Sequence, residues 1–196
     1  MKIIKNKIRH CLLVISFNLC PPVMAVSVPQ WQIIPTESQL MFTATQNGAP
    51  VTGEFKLFTG TLLVDPNDLK SSSIDIIVDI NSLSVSYAEL KTTLISSDWF
   101  NTKLFSQAEF KSSHIEKTGE KSYQAKGMLT IRDKSQPVIL NFSAELPNPD
   151  KGIVTGDAVI KRTLFGVGQG EWGSTDEIKD EVTVHFKVVG IKEKSK

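Results

Sequence analysis

The 196-residue chain has two cysteines, almost no net charge and no long hydrophobic run. Its 22 Lys and Arg residues nearly balance its 21 Asp and Glu residues, which gives a net charge of +1. A balance this close to neutral excludes the positive field with which nucleic-acid-binding proteins attract their ligand. The hydrophobic content of 40% is that of a folded protein, and the length predicts one domain with a sizeable core.

Both cysteines, Cys11 and Cys20, lie in the first 25 residues, which have the order of a secretory signal peptide. Four basic residues without an acidic one come first, then an apolar run over residues 11–20, then Val23-Met24-Ala25 as a cleavage site. The apolar run is too short to cross a bilayer, which takes about 20 residues. We therefore expect residues 1–25 to be a cleaved signal peptide and residues 26–196 to form a periplasmic domain.

Cleavage would leave 171 residues with 18 basic and 21 acidic side chains, so the net charge would become −3. The remaining domain would contain no cysteine, and therefore no disulfide, thiol nucleophile or thiolate metal ligand. Its stability would rest on the hydrophobic core.

Apolar and polar residues alternate with a period of two over most of the remaining chain, which predicts eight or nine β-strands. The alternation is clearest at residues 74–80, 138–146 and 182–188. The same alternation predicts that Phe55, Leu57, Thr61 and Leu63 share one face of a strand. Short turn-like connections favour antiparallel hairpins, and the pattern leaves open an all-β sandwich or a closed barrel.

One region departs from this alternation. Ser86 and Glu89 have the spacing of a capping box, and Tyr87, Leu90 and Leu94 follow at helical intervals. We expect one helix at about residues 86–96, lying across the end or the side of the sheet.

Residues typical of catalysis are scarce, and we expect no enzyme. His185 lies on the polar face of a predicted strand, and His114 is placed at the rim of a pocket. The run from Gly166 to Gly170 resembles a phosphate-binding loop, but that loop requires a following helix, and residues 171–176 are acidic and not helical in pattern. We interpret this run as a connection between strands.

Large aromatic residues occur in the connections as well as in the strands. Trp99, Phe165 and Trp172 are the main examples, and they indicate either a lined opening or side chains that close the ends of a barrel.

Six segments occur in order from Trp31 to about Ile191: residues 31–38, 51–55, 97–101 with 108–112, 127–133, 137–138 and 162–167. Among them are Gly53-Glu54-Phe55, Asp98-Trp99-Phe100 and the Arg-x-x-Phe-Gly segment from Arg162 to Gly166. Together they resemble the YceI-like family of polyisoprenoid-binding, lipocalin-like periplasmic proteins.

The resemblance implies an extended antiparallel eight-stranded β-barrel around an apolar tunnel. It implies a carrier that holds a long isoprenoid lipid, quinone-like or polyprenyl, and performs no chemistry on it. No spacing of residues in the sequence suggests a metal site, and we expect no cofactor other than a bound lipid. On this interpretation ten residues form the apolar tunnel and its mouth, with the tryptophans and Phe165 near an opening: Phe42, Phe55, Val78, Trp99, Phe110, Leu129, Phe142, Phe165, Trp172 and Phe186.

The chain departs from the commoner family pattern at two places. Glu37 stands where many members have histidine, and residues 90–93 replace an Arg-Asp-x-His stretch. The resemblance therefore does not imply, for this chain, the head-group contacts that those residues would make in other members. Residues 89–91, 98–100 and 165–172 resemble a subgroup found beside or fused to membrane cytochrome b561. This leaves an alternative function, an interaction or stress-protection module that partners a b-type cytochrome and has its barrel filled by side chains. The sequence also leaves open whether the protein forms a homodimer.

Five acidic residues follow the glycine run: Glu171, Asp176, Glu177, Asp180 and Glu181. If this segment lies at the mouth of the tunnel, its charge disfavours a pyrophosphate head group and favours a neutral one such as a quinone.

Overall fold

A computed structural model describes residues 27–194, and the predicted signal peptide lies outside the described residues. The described chain is almost entirely β-structure, with one short helix and a few 3-10 turns. Its elements in chain order are β1 (Gln30–Ile33), β2 (Gln39–Gln46), β3 (Ala49–Phe55), β4 (Phe58–Leu63), β5 (Ser73–Asp79), β6 (Leu83–Val85), α1 (Ala88–Ile95), β7 (Gln107–Lys117), β8 (Ser122–Ile131), β9 (Lys134–Asn148), β10 (Lys151–Lys161) and β11 (Glu181–Lys192).

Eight of these strands form a closed antiparallel ring. Its order is β1, β4, β5, β7, β8, β9, β10 and β11, and β1 closes it by pairing with both β4 and β11. Closure satisfies the backbone hydrogen bonds of strands that would otherwise be edges. The prediction of an eight-stranded antiparallel barrel with one short helix is confirmed, and the sandwich is excluded.

Three further strands extend the wall at one end of the ring. β11 pairs with β1 through residues 190–192 and with β2 through residues 183–187. β1 and β2 therefore pair with the same edge of β11, one after the other along its length. A 3-10 turn at Pro35–Glu37 separates them. β3 continues from β2 and pairs with β6, which precedes α1. The described chain therefore has eleven strands where the pattern predicts eight or nine, because bent segments are divided.

One such division reverses the predicted faces of a strand. β3 ends at Phe55 and β4 begins at Phe58, and the break between them changes which residues point inward. Phe58 and Leu62 line the interior, whereas Leu57 is 58% exposed. The expected shared face of Phe55, Leu57, Thr61 and Leu63 is therefore wrong beyond Phe55.

A bulge changes the faces of β7 in the same way. The pairing of β7 with β8 shifts between Ser112 and His114, which moves Ile115 to the buried side. His114 points away from the interior, with its Nε2 3.6 Å from a carboxylate oxygen of Glu116. The placement of His114 at a pocket rim is wrong.

The helix is present, but its predicted cap is not. α1 begins at Ala88, Tyr87 occupies the N-cap position, and no side chain caps the helix. The proposed role of Ser86 is therefore wrong. Leu94 is buried and Leu90 packs against the core, so the helical spacing of these two residues is confirmed. No helix within residues 27–194 is long and apolar enough to cross a membrane.

Candidate functional site

The barrel encloses a cavity of about 910 Å³. Residues from all eight ring strands line it, together with residues of β2, β3 and α1. The wall is apolar because the inward positions of the longest strands are apolar without interruption. On β9 and β11 these positions are Val138, Leu140, Phe142, Ala144, Val182, Val184, Phe186 and Val188.

The structure brings together all ten residues that the sequence assigns to the tunnel and its mouth. Phe42, Phe55, Val78, Trp99, Phe110, Leu129, Phe142, Phe165, Trp172 and Phe186 all lie on the cavity wall. The ring centroid of Phe55 is 5.9 Å from that of Phe42 and 5.9 Å from that of Phe100. That these residues contact a ligand stays a prediction.

The cavity reaches the surface at two ends. At the end that we call the hairpin end, the wall includes Lys121, Glu145 and the exposed Leu146. Lys121 Nζ lies 3.3 Å from a carboxylate oxygen of Glu145. At the opposite end, which we call the helix end, the wall includes the exposed Tyr87 and Glu89 beside α1. Polar side chains are therefore confined to the two mouths and to the layer beneath the helix end.

Trp172 borders the helix end, while Trp99 and Phe165 lie buried beneath it. The indole rings of Trp99 and Trp172 are 5.9 Å apart. Only Trp172 of the three aromatic residues thus lies at the opening itself, and the other two form the layer below it with Arg162 and Val167.

Arg162 is the one charged side chain in the buried core of the described chain, at 2% exposure. Its guanidinium donates five hydrogen bonds of 2.8–3.2 Å to backbone carbonyl oxygens, and every acceptor lies in the connection between β10 and β11: Val167, Gly168, Ser174, Ile178 and Lys179. Burial lowers the pKa of Arg162 from its ordinary value, and the charge of Asp180 opposes that change. Arg162 therefore holds the connection in place.

Sequence analysis did not assign Arg162 a role in the site. The available signal was a basic residue that ends an apolar strand and is followed by a glycine-rich stretch without helical pattern. Such a stretch has many unpaired carbonyls, and a guanidinium has five donors with which to bind them.

The glycine run does not form a phosphate-binding loop. Gly166, Gly168 and Gly170 have positive φ angles of 62–77°, which glycine adopts without strain. A Cβ on Gly168 would lie 2.3 Å from Nη1 of Arg162, so this position also needs the absence of a side chain. The backbone N–H groups of Gly168 and Gln169 donate to the carbonyl of Asp98 at 2.8 and 2.7 Å. The run is a connection between strands, as predicted, and it binds the turn that carries Trp99.

Arg132 fixes the same turn from the other side. Its Nη1 donates to the carbonyl oxygens of Trp99 at 2.7 Å and Gly166 at 2.6 Å. Trp99 is therefore held through its own backbone and through that of Asp98.

Within residues 27–194, no group of three or more His, Cys, Asp and Glu side chains could hold a metal ion.

Comparison with solved structures shows the same fold in two other proteins. BcnA of Burkholderia cenocepacia has 30% sequence identity and a TM-score of 0.76, over 80% of this chain and 98% of that one. A polyisoprenoid-binding domain of Saccharophagus degradans has a TM-score of 0.67 over 83% of this chain and 98% of that domain, at 12% identity.

Two relatives are similar in sequence. A UPF0312 protein of Photorhabdus laumondii is 37% identical over 99 residues, which make up half of each chain. A UPF0312 protein of Pseudomonas putida is 29% identical over 147 residues, 74% of this chain and 75% of that one. The matched regions thus span from about half to three quarters of these relatives' length. Residues 31–190 match the model of the YceI-like domain. The chain belongs to the YceI-like family.

Proposed function

We propose that the protein is a periplasmic carrier that holds a long isoprenoid lipid, quinone-like or polyprenyl, in the barrel cavity and performs no chemistry on it. The observation that carries this proposal is the apolar cavity of about 910 Å³, which reaches from the hairpin end to the helix end. A long apolar chain fits such a wall, since a polar substrate would find few partners along it.

The physical chemistry of burial supports a long tail. Each methylene removed from water contributes about 0.8 kcal/mol, so ten of them contribute about 8 kcal/mol before the cost of association is subtracted. No specific polar contact is needed for tight binding of such a ligand, and the apolar side chains of β9 and β11 suffice.

The family and the shared fold support an isoprenoid as the lipid class. The Saccharophagus degradans domain binds a polyisoprenoid, and its structure aligns with 83% of this chain. A periplasmic site of action rests on the signal-peptide pattern of residues 1–25.

The alternative function needs a barrel filled by side chains. The cavity contradicts that part of it. Partnership with a membrane cytochrome and formation of a homodimer stay predictions.

Two neighbouring substitutions on β9 test the carrier function. Ala144 lies on the cavity wall, and Ser143 is exposed on the opposite face of the strand. We expect Ala144→Trp to fill part of the cavity and to lower the amount of co-purified isoprenoid at least about fivefold, since burial of several methylenes is lost. Ser143→Trp adds the same side chain outside and should leave the amount unchanged.

The readout is mass spectrometry of lipid extracted from each purified variant, with circular dichroism to confirm that both fold. Equal isoprenoid content in the two variants, or none in the unsubstituted protein, would contradict the proposal.

A further inference from the structure

The pairing of β9 with β10 stops before the two strands reach the helix end. Its last partners in that direction are Asn141 and Asp157. Beyond them, residues 134–140 of β9 pair only with β8, and residues 158–161 of β10 pair only with β11. We call this stretch, residues 134–140 beside residues 158–161, the seam. Pro137 lies within it and has no N–H to donate to a ladder.

The seam is closed in this structure, although no strand pairing holds it. Val138 and Ala158, whose side chains lie on the cavity wall, are both buried. At its end, Nε2 of Gln136 donates to the carbonyl oxygen of Leu164 over 3.4 Å, a long hydrogen bond. Strands joined by a ladder lose hydrogen bonds when they separate, whereas these segments have only side-chain contacts to lose. The seam is therefore a place where the wall opens at low cost.

The outer face of the seam is apolar as well. Ile139 and Val159 point outward from its two strands, and Met128 and Leu164 lie beside them, all four 44–55% exposed. Pro137 completes the group, since it is exposed and pairs with Met128. We call these five residues the seam patch. Exposed apolar residues gathered at one place indicate a contact with an apolar partner.

A second junction of the ring is also paired over a short stretch, but its outer face is polar. β1 pairs with β4 only at Leu62 and Leu63, which leaves residues 58–61 of β4 without a partner on that side. The outward residues of this stretch are Thr59 and Thr61, both exposed. Of the two junctions, the seam alone is apolar on its inner and its outer face.

The two mouths of the cavity are less suited to the passage of a long apolar chain. At the helix end, the chain would have to displace Trp99, whose backbone is held by Arg132. At the hairpin end, it would pass the ion pair of Lys121 and Glu145 and slide along the whole cavity. A route through the seam is short and apolar throughout.

The charges beside the seam patch are matched in sign. Lys126, which pairs with Ile139, forms an ion pair with Glu116, and Lys161 stands opposite Glu181 on β11. A rim with both signs complements the zwitterionic surface of a phospholipid bilayer better than a partner of one sign.

We propose that the seam is a lateral portal, and that the seam patch rests against a lipid bilayer while β9 and β10 part to let the isoprenoid chain pass between membrane and cavity. This inference rests on the proposed lipid-binding function and adds to it the route by which the lipid enters and leaves.

A cross-link across the seam tests the portal. Residues 26–196 contain no cysteine, so an introduced pair reacts alone. Asn141 stands opposite Asp157, and two residues further along each strand the outward positions are 139 and 159. The test protein carries Ile139→Cys and Val159→Cys, loaded with a radiolabelled polyprenol and then joined by a short, reducible thiol cross-linker.

The matched control carries the same cross-linker on the same two strands, where their ladder is intact. It joins Ser143→Cys to Thr155→Cys, which are exposed register partners. Each protein is mixed with an excess of phosphatidylcholine vesicles, and the polyprenol that reaches them is counted over time. We expect the cross-link across the seam to slow transfer at least about tenfold, with full recovery on reduction, and the control cross-link to leave the rate unchanged.

Equal transfer rates before and after reduction of the test protein would overturn the portal while lipid binding stands, because the lipid would then leave through an end. Equal slowing by both cross-links would overturn it too. A protein that takes up no polyprenol would contradict the proposed function itself.

A substitution in the seam patch gives a second test that needs no cross-link. Val159→Lys places a charge where the patch meets the bilayer, and should slow transfer about fivefold at equal lipid content, because a charged group is unfavourable against apolar surface. Thr155→Lys adds the same charge on the paired half of β10 and should not change the rate. Equal transfer by the two variants would overturn the contact with the bilayer.

Discussion

Arg162 stabilises the connection between β10 and β11 without an ion pair to a carboxylate. The guanidinium is buried, and its five donors each find a backbone carbonyl of residues 167–179. Those carbonyls have few other partners in a segment with so little regular structure, and a buried carbonyl without a partner is unfavourable. The same segment carries Trp172 and contacts the turn of Trp99, so a single side chain sets the shape of the helix end.

Replacing Arg162 should therefore destabilise the domain. Arg162→Lys keeps the charge but offers three donors from one point, which cannot reach carbonyls spread around a planar fork. We expect a loss of about 3 kcal/mol in the free energy of unfolding, measured in urea. Lys161→Met, at the exposed neighbouring position, should stay within about 0.5 kcal/mol of the unsubstituted protein. A loss below 1 kcal/mol in Arg162→Lys would refute the role assigned to the five bonds.

The alternation of apolar and polar residues predicts the inward side chains of some strands and not of others. On β2, β5, β9 and β11 the period of two identifies the inward residues, because each strand is regular and one of its faces is apolar. Phe42, Val78, Phe142 and Phe186 all lie on the cavity wall for this reason. The same rule fails after the break at residues 56–57 and after the bulge beside Ser112, because an inserted residue changes which residues point inward without changing composition.

Tertiary geometry accounts for the other misses. The five bonds of Arg162 depend on how the irregular connection after β10 folds back over its side chain, and no sequence spacing encodes that path. The helix was predictable from Leu90 and Leu94, whereas its cap was not, since Tyr87 occupies the N-cap without a side-chain hydrogen bond.

The close packing of β8 against β7 at Gly127 leads to a further prediction. At Gly127 a Cβ would lie 2.3 Å from the carbonyl oxygen of Lys111 and 2.6 Å from the ring of Phe110. Gly127→Ala should therefore destabilise the barrel by about 1–3 kcal/mol through forced backbone movement. At Gly152 the nearest atom to such a Cβ, on Trp31, is 3.5 Å away, an ordinary contact. Gly152→Ala should change the unfolding free energy by under about 1 kcal/mol, and equal effects in urea melts would contradict this account.

The described chain as a whole is a closed wall around an apolar cavity that its side chains leave open. A barrel of eight strands has room inside either for side chains or for one small ligand. Here about 910 Å³ remains open, and the aromatic residues line the space without occupying it. An apolar cavity of this size is favourable when a ligand contacts the wall, because an empty one forgoes dispersion contacts along its whole length.

The central claim is that one isoprenoid lipid occupies this interior, and native mass spectrometry of protein isolated from the periplasm tests it most directly. We expect the mass of residues 26–196 plus one isoprenoid lipid per chain, and the bare polypeptide mass after organic extraction. A spectrum with only the bare polypeptide, under conditions that preserve a known lipid complex, would contradict the claim.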